Sequence, residues 1–242
     1  MKPFVATLFS IAIVVAAALL GRSYVQRGHE RGTISVTGLG KEDFTSDLIV
    51  WEGSFTTDDP ELRKAYAVLE RDKRTIQDYL HAKAVPDSAV IFSAVETNEQ
   101  TKARYTADGR YIGEDFLGYQ LRQSITVESK NVPQIEELSR QITELLDQGI
   151  RFYSQPPRYY YTHLADLKVQ MIAKATEDAR LRAGTIAQEA GGRLGALITA
   201  KMGIFQITGQ HSNEDYSWGG AFNTESKKKT ASITMRLEYE AD

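Results

Sequence analysis

No cysteine occurs among the 242 residues of the chain. Disulfides, cysteine-ligated zinc, iron–sulfur clusters and thiol catalysis are therefore excluded. The absence does not fix a compartment, because an exported protein can fold without disulfides. Histidine is scarce. His29, His81, His163 and His211 are the four, and none has a partner at the HxxxH or HxxE spacing of a helical metal site. His81 falls near a helix end, where its charge suits the dipole. His211 with Glu214 and Asp215 falls in a loop stretch, which makes a poor metal cluster. No GxSxG is present. Gly38-Leu39-Gly40 follows one strand and precedes another, so no helix N-terminus is offered to phosphate; the two glycines read as a turn. An excess of positive charge is also missing, and a net charge of −3 leaves no electrostatic footprint for nucleic acid. With no visible nucleophile–base pair or metal cluster, the chain reads as non-enzymatic, without catalytic residues, cofactor or metal.

Phe4 to Leu20 contains no charged residue. A helix of that length is about 25 Å long, slightly short of a ~30 Å hydrocarbon core. Extension to Val25 would bring Tyr24 to the headgroups and let Arg22 snorkel. On that reading residues 1–25 are a retained transmembrane anchor whose lipid-facing residues include Phe4, Leu8, Ile11, Ile13, Val14, Leu19 and Leu20. The rival reading is a signal peptide with Lys2 as a basic start and cleavage near Ala18, after which the body is free in the periplasm. The anchor is preferred because the apolar run continues past the alanines. Arg22, Arg27 and Arg31 follow the run, and by charge alone they would favour a cytoplasmic body. Residues 26–32 read as a polar linker before a domain over 33–242.

The body alternates between periodicities of two and 3.6. Strands are expected at 33–37, 47–57, 88–97, 118–129, 150–154, 194–208 and 229–240, with apolar and polar residues alternating. Helices are expected from Asp59 to Ala84, from Val132 to Gln148 and from Leu164 to Ala190. Asn131 is placed to cap the second, and Gly149 and Gly191 to stop the second and third. In the third, Leu167, Met171, Ala175, Ala179, Arg182 and Ile186 step along one side, and its alanines are expected to pack on the chain's own sheet. Gln100 to Glu114 reads as polar, with Asp108-Gly109 a turn. Most strands look covered on one face only, which indicates an α+β fold with antiparallel or mixed sheets and helices on one face.

ISVTGLG (34–40), DLIV (47–50), GYQLRQSITV (118–127), ATEDARLRAGTIAQEAGGRLG (175–195) and ASITMRLEYE (231–240) together resemble the SIMPL-domain (DUF541) family of bacterial envelope proteins. The likeness covers nearly everything after residue 32 and departs at the Tyr159–Tyr161 cluster. It implies two intertwined α/β subdomains, export, and for some members assembly into large rings or cages. It implies no catalytic residue. It also favours a body on the periplasmic side of the inner membrane, against the flanking arginines.

Surface contacts remain as candidates for function. Arg158, Tyr159, Tyr160 and Tyr161 combine residue types enriched where proteins meet. Tyr216, Trp218 and Phe222 fall in a glycine-containing loop, where an exposed tryptophan calls for something to cover it. Lys227-Lys228-Lys229 reads as a solvated, edge-protecting run. The expected function is a membrane-anchored envelope protein that self-assembles into a large homo-oligomer with a structural or stress-protective role. Its partners would be other copies of itself, the bilayer through the N-terminal helix, and other envelope proteins, but not nucleic acid. The alternative is an envelope module that binds a lipid, peptide or other small ligand. Mass spectrometry of the mature protein is expected to find the opening segment retained; a chain starting beyond Ala18 would remove the anchor.

Overall fold

The computed structural model describes residues 13–21, 32–215 and 217–241. Residues 13–21 are helical, and Ile13, Val14, Leu19 and Leu20 in this segment are exposed. Phe4, Leu8 and Ile11 lie outside the described residues, as do His29 and Tyr216. Among the described residues no helix is long and apolar enough to cross a membrane.

In chain order the elements are β1 (Gly32–Thr45), β2 (Leu48–Asp59), α1 (Leu62–Ala82), β3 (Val90–Phe92), β4 (Glu96–Tyr105), β5 (Tyr111–Ser129), α2 (Val132–Gln141), α3 (Glu144–Asp147), β6 (Arg151–Ser154), β7 (Arg158–Tyr160), α4 (Leu164–Glu189), β8 (Leu194–Met202), β9 (Gln206–Gly209) and β10 (Lys228–Ala241). The fold is α+β with antiparallel sheets. It divides into two compact units, each gathered from separate stretches of chain. One takes Met1–Lys41, Gln170–Ile204 and Ile233–Asp242; the other takes Glu42–Val169 and Phe205–Ser232.

The second unit is organised by β2. Its odd positions Ile49, Trp51 and Phe55 are fully buried, as the period-two geometry of a strand requires when one face is covered. β2 pairs antiparallel with β5, from Ile49 opposite Ser129 to Asp59 opposite Tyr119. On its other edge it pairs with β6 and β7, while β3 and β4 pair with β5. The result is a six-stranded sheet. Leu69, Ile76 and Leu80 of α1 and Ile135 and Leu138 of α2 join the same core as Trp51, Phe55, Leu121 and Ile125. Asn131 caps α2 by accepting a hydrogen bond from the Gln134 amide at 3.4 Å.

The stretch read as polar between 100 and 114 is largely strand. β4 and β5 form a hairpin that turns at Asp108-Gly109, and its register runs from Glu96 opposite Arg122 to Tyr105 opposite Tyr111. Pro60 follows the last residue of β2 and has no N–H to continue a ladder. Beyond that point β5 keeps β4 as its partner. The outer part of the hairpin is thus an arm of two strands. β4 is exposed along nearly its whole length, and Tyr105, Tyr111, Ile112, Phe116 and Leu117 of the arm are all more than half exposed. The polar composition masked the alternation, and only the turn was legible.

In the first unit, β10 lies between β1 and β8. Gly38 and Gly40 are not a turn: they sit inside β1. Two residues apart on a strand, they share one face, and α4 lies directly on it. A Cβ built at Gly38 would stand 2.1 Å from the Ala175 carbonyl oxygen and 2.4 Å from the Ala179 amide nitrogen; at Gly40 it would stand 2.4 Å from the Met171 carbonyl oxygen. The helix answers with a stripe of four-residue spacing, Met171, Ala175, Ala179, Ala183 and Ala187, all buried. The alanines therefore pack on the chain's own sheet. Arg182 and Ile186, expected on that side, are exposed; the stripe steps by four along its full length and never shifts to the three-residue step they require.

Two substitutions should act in opposite directions. Gly38→Ala forces a methyl into helix backbone that cannot swing aside, and is expected to cost about 3 kcal/mol or more. Gly184→Ala, in the interior of α4 with open space around its Cβ, is expected to stabilise by about 1 kcal/mol. Thermal unfolding of the two variants checks both signs.

Candidate functional site

Tyr159, Tyr160 and Tyr161 are half-buried. Tyr159 and Tyr160 belong to the short strand β7, paired with Leu48–Val50 of β2, and Tyr161 follows its last residue. Tyr159 packs against the core of its unit, and its amide donates to the Thr224 carbonyl at 2.7 Å. Burial, together with a hydrogen bond to the Glu136 carboxylate, pushes its hydroxyl pKa up to about 12. Glu136 also receives Lys227 Nζ at 2.8 Å. Burial alone would raise the Glu136 carboxyl, but the bonds from Lys227 and Tyr159 outweigh it and hold the group below its ordinary range. Tyr161 packs its ring on Phe44, with centroids 4.8 Å apart. Arg158 is exposed and forms an ion pair with Glu52 on β2. The cluster is therefore held by packing and polar contacts within its own unit.

Asp47 ties the start of α4 to the same region, accepting from the Thr162 amide at 2.7 Å and the Thr162 hydroxyl at 2.6 Å. Burial would raise its carboxyl, but these bonds hold it below the ordinary carboxylate range. His163 stands 3.8 Å from the same carboxylate, and His81 pairs with Asp87. Glu214 accepts from the Asn223 side chain and from the Gly209 amide. Among the described residues no group of three or more His, Asp or Glu side chains is placed to hold a metal ion.

The loop after β9 presents its aromatics differently. Gln206 is buried, and its side chain donates to the Ser217 carbonyl at 2.8 Å and accepts from the Ala221 amide at 2.6 Å. The Gly220 amide closes a turn on the Ser217 carbonyl at 3.0 Å. Trp218 sits on that turn and is 95% exposed; Phe222 is 57% exposed. Between them the backbone is fastened, so the indole is held out from an anchored turn. Loop composition made Trp218 legible in the sequence. The clamp by Gln206 was not, because glutamine in a strand carries no signal of what it will grip.

The lysine run divides into three environments. Lys228 is exposed, Lys227 is half-buried on Glu136, and Lys229 is buried. Lys229 donates to the Tyr159 carbonyl. It reads as a solvated charge in the sequence, but it opens the buried stretch of β10 that pairs with β9, opposite Gly209. Burial drives its pKa down to about 8, with Glu214 pulling the other way.

A shallow polar cleft of about 300 Å³ lies on the second unit, lined by Glu52, Ser54, Arg122, Ser124 and Arg158 among others. Arg122 donates to the Ser54 hydroxyl at 2.9 Å.

Lys229 yields a pH prediction. Its folded-state pKa of about 8 lies below the ordinary 10.5, so between those values the unfolded chain holds the extra proton. Stability contributed by this group must rise with pH across that window, with the full burial cost present below it. Urea midpoints from pH 7.5 upward should show this rise in the parent chain and a flatter profile in Lys229→Met.

The family model for SIMPL, described as a protein of unknown function (DUF541), matches residues 34–239. The match runs from the second residue after the start of β1 to within the last residues of β10 and takes in elements of both units. None of the curated proteins compared with the chain matches it. On the strength of the family match over most of its length, the chain belongs to the SIMPL (DUF541) family.

Proposed function

We propose that the protein is a non-enzymatic envelope protein, tethered to the inner membrane by its N-terminal apolar segment with its body in the periplasm, where copies assemble into a large homo-oligomer. Its role is structural or stress-protective, exerted through surface complementarity. The observation that carries this reading is Trp218, 95% exposed on a turn that Gln206 fastens. A solvent-facing indole on a fastened turn is not carried back onto its own chain by movement of the loop, and it gains most when another surface covers it. The aromatic arm of β4 and β5 supports the same reading, because a two-stranded ribbon is marginal in water on its own. The tether rests on the uncharged run from Phe4 to Leu20, and the periplasmic side on kinship with envelope proteins.

A second reading, binding of a small envelope ligand, is favoured by the cleft between Arg122 and Arg158. Its lining of hydroxyls and paired charges suits a small polar or anionic molecule better than a lipid chain.

Light scattering of detergent-extracted, full-length protein separates the two. A large discrete particle is expected. A monomer would overturn self-assembly, and a monomer that retains a stoichiometric small molecule would favour the second reading. Trp218→Ala removes a side chain with almost no contacts of its own, so stability should change by no more than ~0.5 kcal/mol while the particle dissociates at higher protein concentration than the parent. An unchanged dissociation profile would remove Trp218 from the contacts.

A further inference from the structure

β4 carries its charges in two blocks. Glu96 and Glu99 stand at one end of the strand and Lys102 and Arg104 at the other. It pairs with β5 on one side, and among the described residues no strand pairs with its other side. Edge strands avoid partners through charged side chains, proline, inward-pointing charges or bulges. Two blocks of opposite sign act differently, because a second copy running antiparallel brings each block against its opposite. The β4–β5 ladder shifts register between Gln100 and Thr101 and between Arg104 and Tyr105, but the extra residues, Leu117 and Ile112, lie on β5, so β4 keeps its alternation.

We propose that two copies of the chain join β4 to β4, antiparallel, about a two-fold axis normal to the sheet through Gln100. The inference rests on the self-assembly reading and names one surface that serves it. Side-chain direction alternates along a strand, and this symmetry requires directly opposed residues to share a face. Centring on Gln100 meets that requirement. It sets Glu96 against Arg104 of the second copy, and Asn98 against Lys102. Glu99 faces Thr101, and Thr97 faces Ala103. Lys102 of the second copy also lies diagonally next to Glu96, within reach of a long side chain. No like charges stand directly opposite. Centring one residue earlier would set Glu99 against Glu99. Centring one residue later would leave Glu96 beyond the pairing.

The pairing changes the arm from two strands to four. Tyr105, Tyr111 and Phe116 fall on one face of the arm by their register. It is the face that carries Leu121 and Ile125 into the core further along β5. All three aromatics are more than half exposed in the single chain. Across the proposed axis the two sets share one face of a four-stranded sheet, one set at each end, with Thr97, Glu99, Thr101 and Ala103 of both copies between them. A strand of ten residues is about 33 Å long. At the ~10 Å thickness of one sheet layer its edge offers roughly 330 Å², less than the ~800 Å² per partner of a standard interface, so the pairing is one contact among those a large particle uses.

The absence of cysteine makes the test direct, since a single introduced thiol can only bridge two chains. Gln100→Cys in the full-length, detergent-extracted protein is expected to give mostly covalent dimer on mild oxidation, read on a non-reducing gel. Ala173→Cys, on the exposed side of α4, should stay monomeric. If light scattering shows the large particle but Gln100→Cys does not crosslink, the β4 surface is wrong and self-assembly stands. If the parent protein is itself a monomer, both ideas fail together. Glu96→Arg supplies the second measurement. It sets like charges across the axis and should cause loss of the assembled particle at low salt, with circular dichroism unchanged. A particle that survives Glu96→Arg intact would overturn the pairing.

Discussion

The antiparallel ladder between β2 and β5 is the constraint from which the second unit follows. A one-residue slip would turn Ile49, Trp51 and Phe55 out of the core and Val50, Glu52 and Ser54 into it, so hydrophobic burial fixes the register. Once it is fixed, the two strands cannot end together. β2 stops at Pro60, while β5 extends back to Tyr111. The surplus length has no neighbour on that side and emerges with β4 as the arm. An apolar core and a projecting aromatic ribbon are thus two consequences of one mismatch in strand length.

A different economy holds the first unit. Helix and strand meet there backbone to backbone, with glycines on one side and alanines on the other. Close approach replaces side-chain volume, and dispersion between many small atoms does the work that large residues do around Trp51. The tolerance is correspondingly narrow, since a single methyl at Gly38 has nowhere to go. Leu181, Leu197 and Met202 in the same unit remain more than half exposed.

Charge is used locally. Asp47, Glu136 and Lys229 are each partly or wholly removed from water and each has a specific partner, which keeps the cost of burial below that of an isolated ion. These groups secure β7, the start of α4 and the start of β10, where the chain has short elements and little apolar area. The tyrosine cluster belongs to this polar framework, and its kinship with interface composition comes from the same property: rings that pack on one side and bond on the other.

Residue order by itself determined the α+β class, the antiparallel alternation, the unbroken helices Leu62–Ala82 and Leu164–Glu189, the Asp108-Gly109 turn and the family. Each of these depends on local periodicity or on glycine, proline and cap chemistry within a few positions. The helix expected over 132–148 is instead broken at Ile142-Thr143 into α2 and α3. The same order left the glycines of β1 ambiguous, because a glycine pair marks a turn and a close helix contact equally well; α4, more than 130 residues later, decided between them. It left Lys229 in solvent, because only pairing with β9 and the nearness of Tyr159 buries it. It left the arm unseen, because charges on β4 hide a strand whose existence depends on β5. Burial and partnership are set by distant segments, and no local pattern encodes them.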